Sequence, residues 1–268
     1  MTTLVPLRLD DALRLLHELP EAHVLAGGTD LMVEVNYGHR RPPAIVAINR
    51  VADLRGLSMG SDGIVTIGAG TTYTELLDPA LGRLAPALAA AARTVGSPQI
   101  RNAGTIGGNL GTSSPAGDTL PVLAALDAEV DLRSATGERR IPLSELIVGP
   151  KRNTLLPGEL IVGVRIAAAA QDDSQEYLKV GTRNAMVIAV ASCAVIGSSG
   201  PPRPSTVMIS VPVALAACTR HAHTSFESTR TEHDPHSPCS QPALEPGRPR
   251  RSRKTYSRLS PSQPDSTS

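Results

Sequence analysis

Aromatic side chains are nearly missing: the 268 residues hold no Trp, one Phe and four Tyr. A flat ligand would therefore be held by aliphatic walls and backbone, because stacking partners are scarce. An excess of charge of either sign is missing too. The formal net charge is +1, which excludes the basic field that draws a protein to nucleic acid or to an anionic membrane surface. Cysteine is sparse and irregular, at Cys193, Cys218 and Cys239. Three thiols build no disulfide framework, which points to a reducing compartment. No apolar run reaches bilayer length, and the opening MTTLVPLRLDDALRLL puts no charged segment ahead of an apolar one. These absences predict a cytoplasmic protein with no membrane insertion and no nucleic-acid partner.

What the chain does have is glycine, in two informative clusters: Ala26-Gly27-Gly28-Thr29-Asp30 and Gly104-Thr105-Ile106-Gly107-Gly108-Asn109. Glycine tolerates positive φ and lets backbone approach a ligand closely, so each loop offers N–H groups that no side chain shields. One such loop is usually a turn. Two in one chain, each with hydroxyl and amide or acid residues beside it, predict a pocket for a pyrophosphate and hence a dinucleotide-like cofactor. Gly68-Ala69-Gly70 resembles half of a dinucleotide fingerprint, but its third glycine is missing.

Residues 1–197 have the patterning of a globular α+β protein. Asp10 to Leu16 opens a short helix with its acidic pair at the positive end. His23 to Ala26, Ala44 to Ile48 and Ile64 to Ala69 predict strands. From Pro79 to Val95, apolar residues recur at three- and four-residue steps, which predicts one helix ended by Gly96. A short helix over Pro121 to Leu126 follows, then strands at Ala128 to Arg133, Leu160 to Ile166 and Tyr177 to Val180.

The stretch Gly96-Ser97-Pro98-Gln99-Ile100-Arg101-Asn102-Ala103-Gly104-Thr105-Ile106-Gly107-Gly108-Asn109-Leu110, trailed by Ser114-Pro115-Ala116-Gly117-Asp118, resembles the FAD-binding medium subunit of molybdenum hydroxylases of the xanthine dehydrogenase and carbon monoxide dehydrogenase type. Leu25 to Leu31, Ile67 to Thr72 and Tyr177 to Met186 agree with it in order and approximate spacing. The resemblance implies a two-lobed FAD-binding domain of the vanillyl-alcohol-oxidase type, followed by a small C-terminal domain. It also implies partners: a molybdopterin-binding large subunit, a small subunit with 2Fe–2S clusters, and NAD or another acceptor.

Carried over by position, Val24, Leu25, Ala26, Gly27, Gly28, Thr29, Asp30 and Leu31 wrap the pyrophosphate and ribityl region. Gly104, Thr105 and Asn109 bind the cofactor from the second loop, and Gly107 and Gly108 sit where a side chain would collide with it. Asp118 contacts its hydroxyls, although helix capping is the plain alternative for an Asp in this position. Ile161 and Lys179 line the isoalloxazine ring, where a cation would stabilise reduced flavin. Arg101 either faces solvent or offsets phosphate charge. No residue is assigned as catalytic or metal-binding.

From Ser198 the composition changes. Residues 198–268 contain 14 Ser and 11 Pro but two Gly, too little apolar patterning to offset chain entropy. The expected organisation is a first lobe at 1–58, a second at 59–172, the start of a C-terminal domain at 173–197, and a disordered tail at 198–268. Only Val207 to Ala217 could pack. A shift of reading frame near Gly197 explains the change. Cys218, His221, His223, His233, His236 and Cys239 fit no usual zinc spacing. Two other functions stay open: a non-catalytic remnant that keeps the fold, and a stand-alone flavin oxidase.

Overall fold

The computed structural model describes residues 2–170, 173–183 and 186–197, with the backbone of 206–210 and 222–223. The first lobe runs β1 (Thr2–Leu4), α1 (Leu9–Glu18), β2 (His23–Leu25), α2 (Leu31–Asn36) and β3 (Ala44–Ala47). Its three strands are parallel in the order β1-β3-β2. Helix α1 buries Leu9, Ala12, Leu13 and Leu16, one face at helical spacing. That face packs on Val46, Ile48, Val51 and Leu54, and on Leu160 from the second lobe. Asp10 and Asp11 occupy its first turn, as expected, and Asp53 accepts from the Leu9 N–H at 3.1 Å.

The second lobe contains β4 (Leu57–Met59), β5 (Ile64–Gly68), α3 (Pro79–Leu84), α4 (Pro86–Thr94), α5 (Pro98–Ala103), α6 (Ile106–Thr112) and α7 (Leu120–Ala125). It continues through β6 (Glu129–Ser134), β7 (Gly137–Pro142), α8 (Leu143–Leu146), β8 (Ile147–Gly149), β9 (Arg152–Asn153) and β10 (Leu160–Ala167). A five-stranded antiparallel sheet, β4-β5-β10-β6-β7, carries the helices. Val65, Ile67, Val130, Leu132, Val164 and Ile166 from its strands form one core with Leu81, Leu88, Ile106, Leu110 and Leu123 from the helices. Strand β4 pairs into this sheet, so it straddles the boundary expected at 58/59.

The single helix expected over Pro79 to Val95 is two. Pro86 has no N–H to donate back into the first helix, so the chain turns at Ala85 and restarts with proline at the first helical position. Asp78 caps the first piece, accepting from the Ala80 N–H at 2.7 Å.

Strands β11 (Ser174–Val180), β12 (Ala191–Gly197), β13 (Thr206–Ser210) and β14 (Ala222–His223) form a third, antiparallel sheet. Its inner face presents Gln175, Tyr177, Ser192 and Ala194, with β11 lying on α4 and β12 on α7. β13 begins one residue before the stretch singled out as able to pack, Val207 to Ala217, and gives β12 a partner, whereas β14 falls where the expected tail was to be disordered. The rest of the expected disordered tail, with Cys218, His221, His233, His236 and Cys239, lies outside the described residues. Among the described residues, no helix is long and apolar enough to cross a membrane.

Candidate functional site

A cleft of about 520 Å³ opens between the first two lobes, and both glycine loops line it. The first loop leaves β2 at the C-terminal end of a parallel sheet, where α/β folds commonly bind ligands. Gly27 is pressed against α5: a Cβ there would lie 1.8 Å from the Ala103 carbonyl oxygen. Gly28 adopts φ +70°, the left-handed region that favours glycine. The N–H groups of Gly27, Gly28 and Thr29 donate to no other described residue. They are three unspent donors at the wall of a cavity.

The second loop differs from the expectation drawn for it. Most of its N–H groups are spent inside the protein: Gly104 on Ile100 O at 2.7 Å, Ile106 on Thr71 O at 3.0 Å, Gly107 on Ala69 O at 2.8 Å, and Asn109 on Thr105 O at 3.0 Å. The Thr105 N–H donates to no other described residue. Gly108 N–H donates to Thr105 Oγ1 at 3.0 Å, which makes Thr105 the cap of α6. The glycines here admit protein atoms. A Cβ on Gly107 would sit 2.6 Å from Ala69 Cβ, and one on Gly104 would sit 2.9 Å from Tyr73 Cε2. A Cβ on Gly108 would meet Thr105 Oγ1 at 2.9 Å. Gly68 and Gly70 press likewise on Leu54 O, at 2.4 and 3.0 Å for a built Cβ, which accounts for the half fingerprint without a ligand.

What the second loop does offer the cleft is the side chain of Asn109. Its Oδ1 accepts from Thr119 Oγ1 at 2.8 Å. Burial, reinforced by the Asp118 charge, raises the Tyr73 phenol. Its hydroxyl therefore stays protonated.

Asp118 lines the cleft but spends its oxygens inward. Oδ2 takes Lys179 Nζ at 2.6 Å and Thr94 Oγ1 at 3.3 Å, and Oδ1 takes the Tyr177 hydroxyl at 3.2 Å. Burial pushes its carboxyl up from the usual range, and Lys179 opposes that most strongly. The capping alternative is not realised: the N-cap of α7 is Thr119, with no side-chain cap bond. Lys179 departs from its expected place. It does not line the cleft; it reaches Asp118 and Thr94 O from β11 and borders a second cavity beside Arg93, Arg101 and Arg183. Arg101 is also turned away, donating to the carbonyls of Val95 and Gly96 at 3.0 Å each. The other expected residues, Val24 through Leu31, Gly104, Thr105, Gly107, Gly108, Asn109, Asp118 and Ile161, all border the cleft.

Several cleft residues carried no signal in the sequence reading. Lys151 and Arg40 stand at its edge and share Glu34, at 2.8 and 3.0 Å. The Lys151 hydrogen bond holds the Glu34 carboxyl below the usual range. Glu159 also borders the cleft, clamped by Arg139 through Oε1 at 2.7 Å and Oε2 at 2.8 Å. That fork holds its carboxyl low. Tyr73 alone had a readable signal, being one of the few aromatics. Lys151 lies far from Glu34 in sequence, and Arg139 far from Glu159, so no local pattern joins them.

Comparison with known proteins gives a consistent set of likenesses. The family described as the FAD binding domain in molybdopterin dehydrogenase matches residues 1–168. A xanthine dehydrogenase FAD-binding subunit from Escherichia coli O157:H7 is 34% identical over 188 residues, 69% of this chain and 64% of that one. A nicotinate dehydrogenase FAD-subunit from Eubacterium barkeri is 36% identical over 192 residues, again 69% and 64%. The chain thus spans under two thirds of the length of these relatives. The solved carbon monoxide dehydrogenase from Hydrogenophaga pseudoflava superposes with a TM-score of 0.74 at 30% identity, covering 78% of this chain and 74% of that one.

Proposed function

The chain belongs to the family of FAD-binding domains of molybdopterin dehydrogenases, and we propose that it is the FAD-binding, electron-transfer subunit of a molybdenum hydroxylase. The observation that carries this reading is the run of unspent N–H donors at Gly27, Gly28 and Thr29 on the cleft wall. Unpaired backbone donors facing a cavity are costly unless something accepts from them, and pyrophosphate oxygens suit three in succession. Val95, Ile100, Leu160 and Ile161 give the cleft the aliphatic lining that a flat ring needs where aromatics are scarce. The residues present therefore fit FAD, without a covalent bond from either glycine loop.

In this reading Gly27 to Thr29 bind the pyrophosphate, Asn109 donates from the opposite loop, and Arg40 and Lys151 supply the positive charge at the edge. Asp118 acts through structure, since its oxygens are committed to Lys179, Tyr177 and Thr94. Bound FAD supplies the redox chemistry, accepting electrons from 2Fe–2S clusters and passing them to NAD or another acceptor. In this reading the partners are a molybdopterin-binding large subunit and a small iron–sulfur subunit. The lobe boundaries read from the sequence, 1–58, 59–172 and 173–197, are part of the proposal, with the first one moved to 56/57 so that β4 falls in the second lobe.

Titrating the purified protein with FAD tests the first step. Saturable binding with a bound-flavin absorption spectrum is expected, together with a higher Tm; free flavin at every concentration would sink the proposal. Co-expression with the two partner subunits tests the second step, by whether reduced iron–sulfur clusters bleach the flavin band. One observation favours the remnant reading: Leu178, Val180, Met186, Ile188 and Val190 are all more than half exposed around β11 and the turn after it. A chain that binds FAD but never joins its partners would bear that reading out.

A further inference from the structure

We propose that Thr119 is a positioning residue that fixes the amide of Asn109 with its Nδ2 presented to the cleft as a donor to FAD. The inference rests on the FAD-binding reading above and adds the device that orients one of its contacts. Thr119 is fully buried, so no solvent competes for its hydroxyl. That hydroxyl has a single proton, and it lies 2.8 Å from Asn109 Oδ1. Polarity runs in one direction, from Thr119 to Asn109.

The opposite amide orientation has a definite cost. If Nδ2 faced Thr119, the buried threonine proton would lose the acceptor it now has, and Oδ1 would turn away from the one described donor that reaches it. With Oδ1 committed, Nδ2 is the free end of the amide, and it donates to no described residue. Gly117 keeps the space beside it open, since a Cβ there would lie 2.7 Å from Nδ2. Asn109 and Gly117 both border the cleft, whereas Thr119 does not. Thr119 thus acts on the ligand only through Asn109.

The test compares the FAD dissociation constants of Thr119→Val, Thr119→Ser and Asn109→Ala proteins, read by flavin fluorescence, with the Tm of each apoprotein. Valine keeps the shape and removes the proton. It should weaken FAD about fivefold, with the serine variant within about twofold of the parent. In an Asn109→Ala background, Thr119→Val should cause no further loss of affinity, because nothing remains to be oriented. A valine variant binding as tightly as the parent, losses that add in full, or a serine variant as weak as valine would each overturn the inference. If the valine variant does not fold, Thr119→Ala takes its place; it too should weaken FAD, and unchanged affinity would overturn the inference. A parent protein that binds no FAD would overturn the function itself, a result distinct from all of these.

Discussion

Lys179 Nζ lies 2.6 Å from Asp118 Oδ2, with only 8% and 6% of the two side chains exposed. The pair ties the third sheet to the wall of the cleft, because Lys179 comes from β11 and Asp118 from the segment between α6 and α7. Removing one member strands the other charge in a buried site, so Lys179→Met should destabilise the protein by about 3–5 kcal/mol. Burial leads in raising the Asp118 pKa above its ordinary 3.8, and Lys179 leads in opposing it. A carboxyl raised in the folded state favours folding fully below its unfolded pKa and loses that contribution as pH rises through the folded one. The deficit of Lys179→Met should therefore be largest at neutral pH and shrink as the pH falls toward 3.8. Urea unfolding at neutral and mildly acidic pH measures it; a pH-independent deficit would contradict the assignment.

Gly27→Ala places a Cβ 1.8 Å from Ala103 O, backbone that no rotamer change relieves. Overpacking of this kind should cost about 1–3 kcal/mol and move the first loop away from α5, weakening FAD as well. Gly82→Ala is the control. It lies within α3 with nothing within 4 Å of a built Cβ, and it should stabilise by about 0.5–1 kcal/mol. Thermal melts of the two variants should shift in opposite directions.

Glu34 gathers Lys151 and Arg40 at the edge of the cleft, joining α2 to the turn between β8 and β9. Lys151 is 54% exposed, so the pair adds on the order of 0–1 kcal/mol to stability. Its larger effect is expected on the ligand. Lys151→Met should weaken FAD by roughly tenfold at low salt and less at high salt, and should leave riboflavin, which has no phosphate, untouched. Equal losses for both flavins would show that Lys151 does not meet a phosphate.

The change of composition at Ser198 carries a prediction about the gene. Translating the other two frames beyond codon 197 should yield sequence rich in glycine and apolar residues and similar to the remaining third of the FAD-subunit relatives. If neither frame does, the shift-of-frame reading is wrong, and the Ser/Pro-rich text is native to this protein.

Much of the architecture was legible because it rests on local patterns. The one-faced burial of α1, the alternation of β5 and β10 and the glycine punctuation each follow from neighbours a few residues apart. The break at Ala85-Pro86 was legible too, from proline alone, but the helical spacing around it masked the signal. The cleft-lining set from Val24 to Leu31 could be read because one short loop supplies it.

The family, the α+β class and the identity of the first loop as a run of close-approach backbone are written in short-range patterns of the chain. How each glycine is used depends on the folded arrangement. Gly107 and Gly104 make room for Ala69 and Tyr73 rather than for a ligand, and the N–H groups of Ile106, Gly107, Gly108 and Asn109 turn inward to Thr71, Ala69 and Thr105. The folded arrangement also decides that Lys179 spends its charge on Asp118, 61 residues away in sequence. Whether a donor is free or spent depends on which groups meet in space, and those meetings join residues between which the sequence carries no periodic signal.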